Sequence, residues 1–130
     1  MTRTILVVDD EEAIVEMLSM LLEDEGYRVV TAHDGCEGLE KVAAERPDVV
    51  LSDITMPRCD GLGLCRGMRA DPALWGIPLV FASAIPQQLV PQDCPYDAYV
   101  CKPFAFDDVL AALASVLVAA DGDGTTPRGS

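Results

Sequence analysis

Positive charge is scarce in this chain. Nine Lys and Arg stand against 22 Asp and Glu, for a formal net charge of −13 over 130 residues. A nucleic-acid backbone is held by Lys and Arg, so nucleic-acid binding by this domain is excluded, and an anionic membrane surface is disfavoured for the same reason. The complement of such a surface is a basic partner face or a bound cation, although acidic helix faces also keep a protein soluble. Aromatic residues make up only 5%, so the core must be aliphatic. No apolar run is long enough to span a bilayer and no signal peptide opens the sequence, which gives a cytoplasmic expectation. The five cysteines are an odd number and form no C-x-x-C pair, which argues against a disulfide framework or a zinc site. Cys36, Cys65 and Cys101 fall in apolar patterns and read as small packed hydrophobes, whereas Cys59 and Cys94 fall in loops.

Half of the residues are hydrophobic, and a chain of this length is one domain that buries roughly two-thirds of its unfolded surface. The apolar residues come in short continuous runs, the pattern of strands buried on both faces, as in a parallel sheet. Ile5-Leu6-Val7-Val8 runs into Asp9-Asp10, Val49-Val50-Leu51-Ser52 into Asp53, Leu79-Val80-Phe81-Ala82 into Ser83, and Tyr99-Val100-Cys101 into Lys102-Pro103. A further strand is expected over Arg28 to Ala32. Helical spacing follows each run. Ile14, Met17, Leu18, Leu21 and Leu22 mark a first helix ended by Gly26. A second spans about Gly35 to Glu45, with Leu39, Val42 and Ala43 inward. A third spans about Leu62 to Ala70, and a last about Phe106 to Leu117. The segment from Ser83 to Tyr99 carries Pro86, Pro91 and Pro95. Pro86 can start a helix but Pro91 ends it at once, so the fourth helix is expected to be one turn or absent. Trp75 is expected to cover an edge of the core. The expected architecture is an α/β, doubly wound, five-stranded parallel sheet over residues 1–120, with a disordered polar tail over 121–130.

In an open parallel sheet the carboxyl ends of the strands line one crevice, where ligands bind. Asp9, Asp10, Asp53, Ser83 and Lys102 therefore converge. Three adjacent carboxylates repel unless a cation compensates, and their hard oxygens suit Mg²⁺, which takes one or two carboxylates plus phosphate oxygens. One aspartate is then left to attack phosphorus, with Lys102 as a compact charge and Ser83 as a hydroxyl donor.

These residues resemble the receiver domain of bacterial response regulators over about residues 4–118. The resemblance rests on Asp9-Asp10, on Asp53 with Met56-Pro57 and Asp60-Gly61, on Ser83-Ala84, and on Lys102-Pro103-Phe104. It implies a flavodoxin-like strand order of 2-1-3-4-5. It implies that Asp53 takes a phosphoryl group from a histidine kinase or a histidine phosphotransfer protein. Asp10, Asp53 and the Thr55 backbone carbonyl would ligate Mg²⁺, with Asp9 acting through water. Lys102, preceding a cis peptide bond to Pro103, and Ser83 would hold the phosphoryl oxygens. Tyr99 would turn inward as Ser83 moves, switching a downstream protein partner or output domain. Thr55 and Ile85 occupy positions that tune hydrolysis of the phosphoryl group. His33, the only histidine, reads as a surface loop residue, which argues against a phosphohistidine relay within the chain.

The sequence departs from the family pattern beside the site. The segment before the fifth strand is proline-rich and short, and Pro95, Tyr96 and Asp97 replace the glycine usual there, so a rebuilt or mobile output loop is expected. No output domain follows residue 120, as in a stand-alone receiver or a piece of a longer regulator or hybrid kinase. Two other readings compete. One is a Mg²⁺-dependent aspartyl-phosphate phosphohydrolase, against which Thr55 stands where that chemistry wants a second aspartate. The other is a degenerate receiver acting as a constitutive interaction module. The expected chemistry is confined to the chain's own phosphorylation and dephosphorylation.

Overall fold

A computed structural model of the chain describes residues 2–123. In chain order the elements are β1 (Thr4–Val8), α1 (Glu12–Asp24), β2 (Arg28–Ala32), α2 (Gly35–Glu45), β3 (Val49–Ser52), α3 (Gly61–Ala70), β4 (Leu79–Ser83), a 3₁₀ turn (Gln87–Leu89), β5 (Ala98–Cys101) and α4 (Phe106–Asp123). The five strands pair in parallel in the order β2-β1-β3-β4-β5, the doubly wound, flavodoxin-like topology expected.

Alternation along each strand divides the core. Ile5, Val7, Val49, Leu51, Val80 and Val100 pack with Val15, Leu18 and Leu22 of α1 and with Val109, Leu113, Val116 and Leu117 of α4. Leu6, Val8, Val50, Leu79 and Phe81 pack on the other face against Val42 of α2 and Leu64 and Met68 of α3. Side chains pointing alternately up and down thus meet helices on both faces, which is why the runs are continuously apolar.

Asp34 caps α2 by accepting from the Glu37 N–H at 2.8 Å, and Asp60 caps α3 by accepting from the Gly63 N–H at 2.8 Å, each satisfying a donor the helix itself leaves open. Gly26 ends the first αβ connection with φ of +97°, a conformation that glycine adopts without strain.

Some expectations need correction. The buried stripe of α1 is Val15, Leu18 and Leu22, and Met17 is 40% exposed; the stripe lies one residue round the helix from Met17. Ala43 is exposed as well. In the turn after α3, Leu74 fills the core and Trp75 faces outward. α4 continues beyond Leu117 to Asp123, and the remainder of the expected tail lies outside the described residues. The segment between β4 and β5 holds only the 3₁₀ turn, as the prolines require.

The cysteines depart furthest. Cys36 is bonded to Cys59 and Cys65 to Cys94, with Cα–Cα distances of 5.4 and 6.2 Å. Tertiary packing brings together residues that are 23 and 29 positions apart. Cys101 is free and exposed, not packed.

Candidate functional site: an acidic pocket at the strand ends

The sheet ladder continues past the strands and fixes the pocket. The Asp9 N–H donates to the Ala32 carbonyl at 3.1 Å, the Asp53 N–H to the Val8 carbonyl at 2.9 Å, and the Lys102 N–H to the Ser83 carbonyl at 2.8 Å. Three residues from three separate strands are therefore placed by backbone hydrogen bonds. Gly61 keeps the floor compact. Its N–H donates to the Ile54 carbonyl at 2.8 Å, and a Cβ there would collide with the Asp53 carbonyl oxygen. The Asp60-Gly61 pair thus has two structural roles, a helix cap and a close backbone approach.

Asp9 and Asp53 are only 3% and 8% exposed, while Asp10 faces solvent. Carboxylate oxygens of Asp9, Asp10 and Asp53 lie within 4.8 Å of one another. Lys102 Nζ donates to Asp53 Oδ2 at 2.9 Å and to Asp9 Oδ2 at 3.0 Å, with Glu11 Oε1 at 3.8 Å. The second oxygen of Asp53 accepts from the Ile54 N–H at 2.6 Å, and that of Asp9 from the Glu11 N–H at 2.9 Å. Asp9 therefore orders the entrance to α1 without capping its first turn, since Glu11 is the cap residue.

Burial pushes the Asp9 carboxyl above its usual range, against the Glu11 N–H and Lys102, which favour the anion. Burial also works to depress Lys102, but the bonds to Asp53 and Asp9 outweigh it and hold the ammonium above the ordinary lysine value. One firmly charged lysine thus serves two buried carboxylates, and with Asp10 beside them the pocket stays net negative.

Ser83 closes β4, buried, its hydroxyl oxygen accepting from the Ile85 N–H at 3.3 Å. The Tyr99 hydroxyl donates to the Ile85 carbonyl, and its ring lies 5.9 Å from that of Tyr96. Burial raises the Tyr99 pKa, opposed by the Ser83 hydroxyl. The Ile85 peptide is thus gripped from both sides by Ser83 and Tyr99, a link that the sequence alone does not reveal. Thr55 stands exposed two residues past Asp53. The Lys102–Pro103 peptide is cis. An apolar groove of about 400 Å³, lined by Ile14, Met17, Ala84, Lys102, Pro103 and Phe104, opens beside the lysine. His33 is exposed and pairs with Glu37 at 3.3 Å.

A doubly wound parallel sheet with three carboxylates and a lysine gathered at its strand ends defines, by class, an α/β domain with an acidic strand-end crevice. The family model described as the response regulator receiver domain matches residues 5–114, and the chain belongs to that family. Among curated relatives, the response regulator MprA of Mycobacterium ulcerans (strain Agy99) is 39% identical over 120 residues, covering 90% of this chain and 51% of that protein. The chain spans about half the length of the curated relatives it matches. Among solved structures, the chemotaxis response regulator CheY4 of Vibrio cholerae superposes with a TM-score of 0.83 at 30% identity, covering 89% of this chain and 99% of that one. The receiver domain of a signal transduction histidine kinase from Syntrophus aciditrophicus gives a TM-score of 0.80 at 30% identity, covering 99% and 98%.

The three carboxylates are hard oxygen donors, close enough to share one ion, and the set fits the Mg²⁺ that receiver domains generally bind at this pocket.

Proposed function

We propose that this chain is a two-component receiver that accepts a phosphoryl group on Asp53 from a histidine kinase or a histidine phosphotransfer protein, with Mg²⁺, and thereby changes its binding to a downstream partner or output domain. The observation that carries the reading is the Lys102 ammonium bonded to both Asp53 and Asp9, with Asp10 within reach of the same point. An Asp53 carboxylate oxygen attacks phosphorus, the bond from phosphorus to the imidazole nitrogen of the donor breaks, and that nitrogen leaves with the electron pair. Lys102 then neutralises charge on the transferred oxygens, and Ser83 offers them its hydroxyl proton. Asp10, Asp53 and the Thr55 carbonyl would hold Mg²⁺, with Asp9 acting through water; when bound, the ion neutralises phosphoryl charge and aligns the acceptor.

The chemistry stays on the chain's own Asp53, so the domain is a switch and not a turnover catalyst. When the Ser83 hydroxyl turns to the phosphoryl group it releases the Ile85 N–H. The Ile85 carbonyl is held by Tyr99, so the movement passes directly to Tyr99 and to residues 84–97. The donor approaches over the groove beside Lys102, where the exposed Met17 and the side chain of Ile14 give an apolar seat on an otherwise acidic protein. The domain is expected to work in the cytoplasm, and among the described residues no helix is long and apolar enough to cross a membrane.

Incubation with Mg²⁺ and acetyl phosphate tests the reading. An acid-stable, base-labile gain of one phosphoryl mass on Asp53, absent in Asp53→Asn, is expected. No modification, with Asp53→Asn matching wild type in partner binding, would instead establish a constitutive module. Multiple turnover of a small phosphate ester would establish a phosphohydrolase.

A further inference from the structure

The two disulfides differ in what reaches them. Cys65 and Cys94 are 0% and 2% exposed, packed in the core between α3 and the β4–β5 segment. Cys36 is exposed and Cys59 half-buried. The exposed pair joins the first turn of α2 to the loop that leaves the phospho-acceptor strand, and carries the Thr55 carbonyl on its way to Asp60. With a carboxylate oxygen of Asp34 the two sulfurs form a second cluster outside the acidic pocket. That carboxylate is already committed to the Glu37 N–H at 2.8 Å and to the Arg58 guanidinium at 2.7 Å.

We infer that Cys36–Cys59 is a thiol–disulfide exchange site through which a dithiol reductant loosens the loop around Asp53; its effect on phosphoryl transfer, though not its reactivity, rests on the function proposed above. A thiolate of the dithiol attacks the exposed Cys36 Sγ. The Cys36–Cys59 bond breaks, and Cys59 leaves with the electron pair and takes up a proton. The second thiol of the donor then attacks the donor sulfur of the mixed disulfide and releases Cys36 as a thiolate. The donor departs as its own disulfide, and the chain has gained two electrons and one proton, with Cys36 left as the thiolate. The N-terminus of α2 favours the negative charge left on Cys36. Arg58 neutralises Asp34, which would otherwise repel the incoming thiolate. In a reducing cytoplasm, disulfides that form are mostly transient, catalytic or redox-sensing, and accessibility separates this pair from the sealed one.

Reduction loosens the loop without freeing it. The Gly35 N–H still donates to the Cys59 carbonyl at 2.8 Å, Arg58 still pairs with Asp34, and the Gly61 N–H still donates to the Ile54 carbonyl at 2.8 Å. The expected cost is therefore graded, a Mg²⁺ affinity weaker by roughly tenfold, the low end for losing support behind a metal ligand.

The test starts from the full chain purified without reductant. It is titrated with dithiothreitol under native conditions, alkylated and mapped by mass spectrometry. Cys101, free and exposed, labels without reductant; of the bonded cysteines, Cys36 and Cys59 are expected to label first, with Cys65 and Cys94 protected until far higher reductant. Mg²⁺ affinity by calorimetry and acetyl phosphate labelling of Asp53 are then compared between the oxidised and selectively reduced forms. The Cys36→Ser/Cys59→Ser variant is expected to match the reduced form and to ignore the reductant. Free thiols at Cys36 and Cys59 in the unreduced protein, zinc bound in their place, earlier labelling of Cys65 and Cys94, or equal Mg²⁺ affinity in the two forms would each overturn the inference. A chain that binds Mg²⁺ in a redox-dependent way yet never gains a phosphoryl group would overturn the proposed function and leave the exchange site standing.

Discussion

The acidic pocket and the β4–β5 segment sit side by side and are built by different means. Asp9, Asp53 and Lys102 are held by the backbone ladder, each N–H bonded to a carbonyl of the neighbouring strand. Residues 84–97 have no helix of their own and are pinned by side chains of α3. Cys65 is bonded to Cys94, Arg66 pairs with Asp93 at 3.1 Å, and Arg69 donates to the Pro95 carbonyl at 3.0 Å and to Asp97 at 3.4 Å. Geometry set by the ladder survives a change of side chain, whereas geometry set by staples is lost with them. A fold of this kind can therefore keep its strand-end pocket while the neighbouring β4–β5 surface diverges.

The sharpest way to break the comparison is to show that the pocket depends on a side chain for its reactivity but not for its shape. Lys102→Ala removes the cation shared by Asp9 and Asp53. Labelling of Asp53 by acetyl phosphate is expected to slow about 100- to 1,000-fold, the usual cost of deleting a positioned donor to developing charge. Mass spectrometry over time measures it, and a residual fold seen by circular dichroism separates chemistry from collapse.

Next in size is the staple. Replacing Cys65 and Cys94 by serine opens a covalent loop of 29 residues' separation and is expected to lower unfolding free energy by about 3 kcal/mol, read from a urea melt. Hydrogen exchange over residues 84–97 should rise while Asp53 labelling stays at the wild-type rate. Labelling that falls with stability would mean that the two regions are one unit.

This division also explains what the sequence could reveal. Continuous apolar runs ending in Asp9, Asp53, Ser83 and Lys102 carry both the parallel sheet and its crevice, because strand ends and ligand positions are the same local feature. The prolines at 86, 91 and 95 likewise announce a missing helix through backbone chemistry alone. The staples leave no such trace. Nothing local pairs Cys65 with Cys94 or Cys36 with Cys59, and the odd cysteine count argued the wrong way. Arg69, inside the expected third helix, donates at 2.8 Å to the carbonyls of both Trp75 and Ile77, contacts that no local pattern announces. Gly61 was visible as part of a motif, but its contact with the Asp53 carbonyl exists only once α3 has packed.

A smaller effect tests the coupling between the regions. Tyr99→Phe removes the bond to the Ile85 carbonyl, worth about 1 kcal/mol, and leaves the three carboxylates and Lys102 in place. Asp53 labelling should be unchanged. The difference in hydrogen exchange over 84–97 between phosphorylated and unphosphorylated protein should shrink; if it persists in full, the signal travels by another route.

The smallest effect asks whether the pocket's rim uses a staple of its own. Asp34 joins α2 to the loop after β3 through Arg58, and its carboxyl lies below the usual range, first because the Glu37 N–H favours the anion and then because Arg58 does, both against burial. A depressed carboxyl contributes stability at pH values above its unfolded pKa, about 3.9, and loses it as pH falls through the lower, folded value. Asp34→Asn keeps a competent cap and removes only the charge. The wild type should therefore melt slightly higher than the variant at neutral pH, and the two melting temperatures should converge on acidification below about pH 4. The acidic surface as a whole titrates in the same range, but it does so in both proteins and cancels in the difference. Added salt at neutral pH should narrow the same gap, since Arg58 is largely exposed and its attraction is screened. A gap that stays constant with both pH and salt would mean that Asp34 acts only as a cap and that its pairing with Arg58 adds nothing to stability.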